Sequence, residues 1–354
     1  MNQHDRVINL LNELELDGVL ISNGYNMRYL SGFSGATGYL FITRQRRIIM
    51  TDFRYTNQVV QETEGFEIVE LLHNYHDHIN ELLLSEDIKR LGFEAKDLFY
   101  ADYLKLKQFL QVEQLIPIQD EITSLRSVKS EEELSLIRKA EEIGDIAFKQ
   151  ILDFIKPGVT ELEIAAKLQY IMLTNDAEGL SFDTIVASGI HSSMPHASPT
   201  NKKIESGDFI TMDFGCVYHG YCSDMTRTIV MGKASEKQKK IYNTVLSAQL
   251  AALDFIKAGY KGKEIDAVAR NYIDSSGYKG CFGHGLGHSV GLYIHENPRL
   301  SINEDSIILA NTIQTVEPGI YIKDFGGVRI EDLVVVTQDG HINYTHSDKK
   351  LIEL

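Results

Sequence analysis

The chain opens on a helix-period run of apolar residues, Val7, Leu10, Leu11 and Leu14, which ends at a "DG" turn and gives way to the strand-like "VLIS". "YLSGFSGATGYLFIT" and "RRIIMTDFRYT" then read as turn-separated strands, and helix-like and strand-like stretches alternate to about residue 118. This pattern predicts a first α/β domain over residues 1–124. Next comes "SEEELSLIRKAEEIGDIAFKQILDFIKPG", apolar at helical spacing, with a capping-box signature at Ser130 and Glu133 and a stop at Pro157-Gly158. A long helix therefore opens a second domain, residues 125–354.

That second domain repeats itself. "LDFIKPG" at 152–158 returns as "LDFIKAG" at 253–259, each time behind one long helical pattern and ahead of another. The match continues: "TMDFG", carrying Asp213, corresponds to "TVEPG", carrying Glu317, and "GYCSDMTRTIVM", carrying Asp224, corresponds to "GGVRIEDLVVVT", carrying Glu331. A period of about a hundred residues is too long for a solenoid and fits two related α/β halves facing one another. Asp is a poor strand residue and an expensive one to bury, so acids at matched places on strand-like runs need solvent or a partner that rewards charge. Converging at one interface they would repel, and divalent cations resolve the repulsion.

Imidazoles lie close by in "GHGLGHSVGLYIHENP", namely His284, His288 and His295. There is no HExxH, and glycines interrupt the run, so an extended or turning segment is expected. An odd spacing puts His288 and His295 on opposite sides of a strand, so at most one joins an inner metal shell. Arg329, two residues before Glu331, shares its face and is a candidate to orient the acids, whereas Asp332 points away.

At 354 residues and 43% apolar content the chain can bury a sizeable core. A net charge of −15 opposes binding to nucleic acid or anionic membranes. No apolar run approaches the ~20 residues of a membrane span, and "MNQHDRVINLLNELELDG" is unlike a signal peptide, which predicts a cytoplasmic protein. Cys216, Cys222 and Cys281 lack CxxC spacing and read as ordinary thiols. "LLHNYHDH", with His73, His76 and His78, reads as a solvated face.

"MDFGCVYHGYCSDMTRT", "GHGLGHSVGLYIHE", "TVEPGIYI" and "GVRIEDLVVV" together resemble the pita-bread metallopeptidases, and among them the proline-specific branch of aminopeptidase P and prolidase. The resemblance implies an α/β (α+β) chain in which a creatinase-like N-terminal domain precedes a pseudo-twofold pita-bread catalytic domain. It maps five metal ligands onto Asp213, Asp224, His288, Glu317 and Glu331, with Asp224 and Glu331 bridging two ions, Asp213 completing one shell, and His288 with Glu317 the other. Such an oxygen-rich set suits manganese, and cobalt or zinc also fit. By the same resemblance His196, on the Gly, Ser and Pro-rich "SGIHSSMPHASP", and His295 face the substrate, Glu317 shuttles a proton, and His284 and Arg329 belong to the substrate pocket. The implied reaction is hydrolysis of the Xaa-Pro bond.

The implied partners are peptides with proline second and a second copy of the chain, to which Arg54 or Tyr55 of "TDFRYTNQV" would reach. The form of that run leans the reading to release of the first residue from longer peptides, with dipeptides alone as the alternative. A reading of another class is a peptide-binding protein that kept the fold and lost the chemistry; it sits poorly with a complete ligand set.

Overall fold

The computed structural model describes residues 3–71 and 75–354 and divides into two compact units, Met1–Arg126 and Ser127–Leu354. His73 lies outside the described residues.

The first unit runs α1 (Gln3–Glu13), β1 (Gly18–Ile21), α2 (Gly24–Ser31), β2 (Tyr39–Thr43), β3 (Arg47–Thr51), α3 (Thr56–Glu62), β4 (Glu67–Glu70), α4 (Tyr75–Ser85), β5 (Arg90–Glu94), α5 (Tyr100–Phe109), β6 (Gln114–Ile118) and α6 (Glu121–Ser124). Its strands form one mixed sheet in the order β4-β3-β2-β1-β5-β6. β1 is buried at every position, as a strand covered on both faces must be, and its "GVLI" is accordingly a continuous apolar run. Leu20, Phe41, Ile48 and Met50 of the sheet pack with Ile79, Leu83 and Leu106 of the helices. The start of one expected strand run is instead helical: the "YLS" of "YLSGFSGATGYLFIT" ends α2, because the Asn23 side chain caps Asn26 N and Gly32, at φ 81°, ends the helix in the left-handed region, while its "YLFIT" is β2 as expected. His76 is no solvated residue, since its ring packs between Tyr75 and Phe109. Arg54 is exposed and forks onto Asp52.

The second unit is built twice over. Helices α7 (Glu131–Ile151) and α8 (Glu161–Leu173) pair, as do α9 (Glu236–Phe255) and α10 (Gly262–Ile273). The expected Ser130–Glu133 capping box opens α7, and Gly158 and Gly259 turn the two interhelical corners at φ 93° and 94°. The strands are β7 (Gly179–Leu180), β8 (Ile185–Ser188), β9 (Phe209–Phe214), β10 (Cys216–Tyr218), β11 (Tyr221–Cys222) and β12 (Met225–Val230) in one half. In the other they are β13 (Gly287–Ser289), β14 (Glu296–Leu300), β15 (Ile313–Val316), β16 (Gly319–Ile322), β17 (Gly326–Arg329), β18 (Asp332–Val336) and β19 (His341–Asn343).

Each half keeps its own core. Ile143, Phe148, Ile164 and Leu168 pack on Ile210, Met212 and Ile229, while Ile241, Val245, Ile265 and Ala269 pack on Val316, Ile320, Val328 and Val334. Strand alternation follows from this division. With Ile210, Met212 and Phe214 committed to the helices, Thr211 and Asp213 face the other half, joined in register by Thr228 and Thr226 of β12. There Thr228 Oγ1 donates to the Arg329 carbonyl and accepts from Arg329 N, and Thr211 Oγ1 pairs with Thr228 Oγ1. Beside the acids the halves thus meet across hydroxyls, while away from them a shared apolar cluster, in which Leu134, Ile137 and Cys222 pack with Val290, Ile313, Leu333 and Val335, joins the two. Cys216 and Cys222 are buried thiols.

Candidate metal centre

Each acid sits where a strand of the pseudo-repeat begins or ends: Asp213 on β9, Asp224 just ahead of β12, Glu317 just after β15, and Glu331 between β17 and β18. Candidate ligand atoms of Asp213, Asp224 and Glu331 all lie within 4.8 Å of one another. His288, on β13, brings Nε2 to 3.5 Å from Asp224 Oδ2 and 3.6 Å from Glu317 Oε1. The five residues expected from the sequence therefore converge.

Protein partners account for only part of each carboxylate. Glu331 Oε2 accepts from Thr226 Oγ1 at 2.7 Å, and Asp213 Oδ2 accepts from Arg329 Nη2 at 2.6 Å. Asp213 Oδ1, Asp224 Oδ1 and Glu331 Oε1 are buried with no hydrogen-bond partner. Three orphaned anionic oxygens in one cluster are too costly to persist uncompensated, and a divalent cation is the group that fits them. Burial first, then the neighbouring carboxylates Glu331, Asp213 and Glu317, push the Asp224 carboxyl well above its ordinary range. Glu331 is raised in the same way, by burial and then by Glu317 and Asp213. Burial lifts Glu317 to about 8 although the Arg329 charge opposes the rise. His288 is driven down to about 3, by burial and then by His295. Its Nδ1 lies 3.0 Å from the Ser289 carbonyl, which can only accept, so the hydrogen sits on Nδ1 and the Nε2 lone pair faces the acids.

Beside the acids is a cavity of about 420 Å³, lined by His196, His284, His295, Arg299 and Arg329 together with Phe182, Ile185 and Pro195. His295 reaches it by a route that strand parity excludes: residues 287–300 form a hairpin, not one strand, so chain reversal brings the His288 and His295 rings to 4.6 Å. His284 lines the cavity with both nitrogens engaged, Nδ1 donating to the Gly285 carbonyl and Nε2 accepting from Tyr321 Oη at 2.9 Å. Tyr321 Oη in turn accepts from Arg329 Nη1 at 2.8 Å. Arg329 is fully engaged as well, since its Nε donates to Thr226 Oγ1, so the pair His284–Arg329 orients the acids as well as lining the cavity.

Sequence reasoning passed over Tyr321, Thr226 and Arg299. Thr226 had a signal, standing two residues beyond Asp224 and so on its side of the strand. Tyr321 and Arg299 had none, because their reach depends on how separate hairpins pack.

The sequence model of metallopeptidase family M24 matches residues 135–338, and that of the Creatinase/Prolidase N-terminal domain matches residues 3–128. An Xaa-Pro dipeptidase of Pyrococcus horikoshii is 38% identical over 98% of this chain and 97% of its own. Among solved structures, an Xaa-Pro dipeptidase from Bacillus anthracis superposes with a TM-score of 0.97 at 43% identity, covering 99% of both chains. An X-Pro aminopeptidase from Thermotoga maritima superposes with a TM-score of 0.92 at 37% identity over 100% of both.

Proposed function

We propose, from the premise that this chain belongs to metallopeptidase family M24, that it is an Xaa-Pro dipeptidase. A divalent metal is part of that family's chemistry, and the chain is a metallopeptidase. The step to dipeptides rests on Arg299. Arg299 lines the cavity, and among the described residues no carboxylate lies within ion-pairing distance of its guanidinium. It is close enough for its charge to lower the pKa of His288 and His295. A cation placed there suits the carboxylate that adjoins the proline ring of a dipeptide and that a longer peptide lacks.

In this reading Asp213, Asp224, His288, Glu317 and Glu331 hold two divalent ions, manganese by preference. When bound they polarise the scissile carbonyl and lower the pKa of water. His196 and His295 hydrogen-bond the carbonyl oxygen as charge grows on it, and Glu317 carries a proton toward the departing imide nitrogen. Arg329 and His284 keep the carboxylates in place. A second reading, release of the first residue from longer peptides, is favoured by the likeness to the Thermotoga maritima aminopeptidase. Assembly as a homodimer and a cytoplasmic location extend the same reading; light scattering and cell fractionation test them. No helix among the described residues is long and apolar enough to cross a membrane.

The test compares an Xaa-Pro dipeptide with its Xaa-Pro-Yaa extension, using metal-stripped protein before and after manganese. Cleavage of the dipeptide alone, with KM raised roughly ten- to a hundred-fold by Arg299→Gln, supports the dipeptidase. Equal cleavage of both, indifferent to Arg299, supports the aminopeptidase.

A further inference from the structure

The residues 195–199, Pro-His-Ala-Ser-Pro, all line the cavity, yet they belong to a loop with no strand partner of its own. Something must hold His196 in place. The loop leaves β8 at Ser188, makes a short 3₁₀ turn over Gly189–Ser193, and returns to α8 at Thr200. Both of its ends meet at one side chain, Glu161, the first residue of α8, which is completely buried.

Glu161 Oε1 accepts from Ser188 N at 2.7 Å and Ser188 Oγ at 2.8 Å, and Oε2 accepts from Thr200 N at 3.0 Å and Thr200 Oγ1 at 2.7 Å. His191 Nδ1 lies 2.9 Å from both oxygens. One carboxylate therefore ties the entry, the 3₁₀ turn and the exit of the loop. The main chain adds to this, for Glu161 N donates to the Lys202 carbonyl and Leu162 N to the Thr200 carbonyl. A negative charge is also favoured at the first turn of a helix. Lys202 completes the charges around the knot, with Nζ on Ser188 Oγ at 3.0 Å and on Asp208 Oδ2 at 2.6 Å.

The middle of the same loop is anchored to the metal-site strand. Gly327 N donates to Ser192 Oγ, and a Cβ at Gly327 would stand 2.3 Å from the Ser192 carbonyl oxygen, so only glycine permits the approach. Arg329, which holds Asp213, donates to the Pro195 carbonyl at 3.3 Å. The loop is thus a short arch, fixed at its feet by Glu161 and at its crown by β17, with His196 next to the crown.

We infer that Glu161 is a positioning residue for the reaction: by closing both feet of the arch it sets where the His196 imidazole stands over the acids. This rests on the reading of the cavity as a peptidase site. Removing the charge, or reversing half its acceptors as an amide does, loosens the feet without touching a metal ligand or the cavity wall. Catalytic geometry is sensitive to displacements of about an ångström, so roughly a ten- to hundred-fold loss of kcat/KM is expected from Glu161→Gln.

A double-mutant cycle with His196 tests the inference, with kcat and KM measured on a metal-loaded Xaa-Pro dipeptide reaction and bound manganese counted per chain. Glu161→Gln should lose activity while keeping wild-type metal content, and should lose little more when His196→Ala is already present, because both changes remove the same imidazole. Thr200→Val, a milder cut at one foot, should show a smaller loss with the same non-additivity, and serves if Glu161→Gln does not fold. Losses that multiply fully with His196→Ala, or that track lost metal, would overturn the positioning role. An inactive wild type with metal bound would instead sink the peptidase reading, so the two failures are told apart.

Discussion

Asp224 is poorly placed to keep its charge in metal-free protein, since it is buried among Glu331, Asp213 and Glu317 and its carboxyl is held well above the ordinary range. Glu331 and Glu317 share that direction. Folded-state values above the unfolded ones mean that the native metal-free protein binds more protons than the unfolded chain. Its stability from these groups is complete below about pH 4 and falls as pH rises, the Glu317 contribution being lost through about pH 8. Metal must displace those protons, so affinity should rise over the same window. Calorimetric titration of manganese at several pH values, with proton release measured, checks both signs. Asp224→Asn separates repulsion from ligation: it should raise the melting temperature of metal-free protein and lower metal affinity by at least roughly a hundred-fold. Glu161 has the opposite sign. Its burial opposes ionisation, but hydrogen bonds from Thr200, His191 and Ser188 outweigh that and hold its carboxyl below the usual range. The stability it contributes is present above the unfolded value and is lost as pH falls through the folded one; Glu161→Gln should flatten the acid limb of a stability–pH curve. At this scale the four acids were legible as a group, because a carboxylate in apolar company declares itself in sequence, whereas spacing left the choice among the histidines open and only the family resemblance pointed to His288. Tyr321 and Arg299 were not legible, because a tyrosine in a strand or an arginine at a strand end is ordinary until its neighbours are known.

The hairpin of β13 and β14 carries His288 and is pinned from outside by Lys129, whose Nζ lies 3.0 Å from Glu296 Oε2 and 3.3 Å from Ser289 Oγ with all three side chains buried. Taking away the ammonium removes one charged partner of a buried carboxylate. Lys129→Met should lower stability measured by chemical denaturation, and Lys129→Met with Glu296→Gln should recover part of the loss. Helices were the easiest elements to read, for caps and stops are local chemistry: the Ser130 capping box stands at the N-terminus of α7. Hairpins were harder. The parity rule for His288 and His295 is sound for one strand and misleads here because "SVGLYI" turns the chain back. α2 was missed because a short, eight-residue helix gives too little periodicity, and its Asn23 cap is visible only once the helix is suspected.

Across the catalytic unit the two halves share one apolar cluster but, at the candidate metal centre itself, meet over threonines and mutually repelling acids. The repeat announced that arrangement in the sequence, since matched motifs imply matched folds. It did not announce the depth of the cavity or its lining, which come from four hairpins and a loop. Removal of metal should therefore lower the melting temperature of the protein well beyond the effect on a peptidase-inactive Asp224→Asn variant. Saturating metal at a hundred times its dissociation constant stabilises by about 2.7 kcal/mol. Differential scanning calorimetry with and without chelator reads the difference directly.

Thr226 and Glu331, bonded to each other across the two halves, are 105 residues apart along the chain. Ions gripping Asp224 beside the one and Glu331 itself would act as a reversible cross-link closing a very long loop, the kind that most restricts an unfolded chain. Such a clasp governs lifetime as well as equilibrium. With metal bound, parting of the halves would require the ion to leave as well as the shared apolar cluster to open, so the rate of ion escape would enter the protein's persistence against proteases, and a cell short of metal would see this enzyme age faster before it saw it fail to fold.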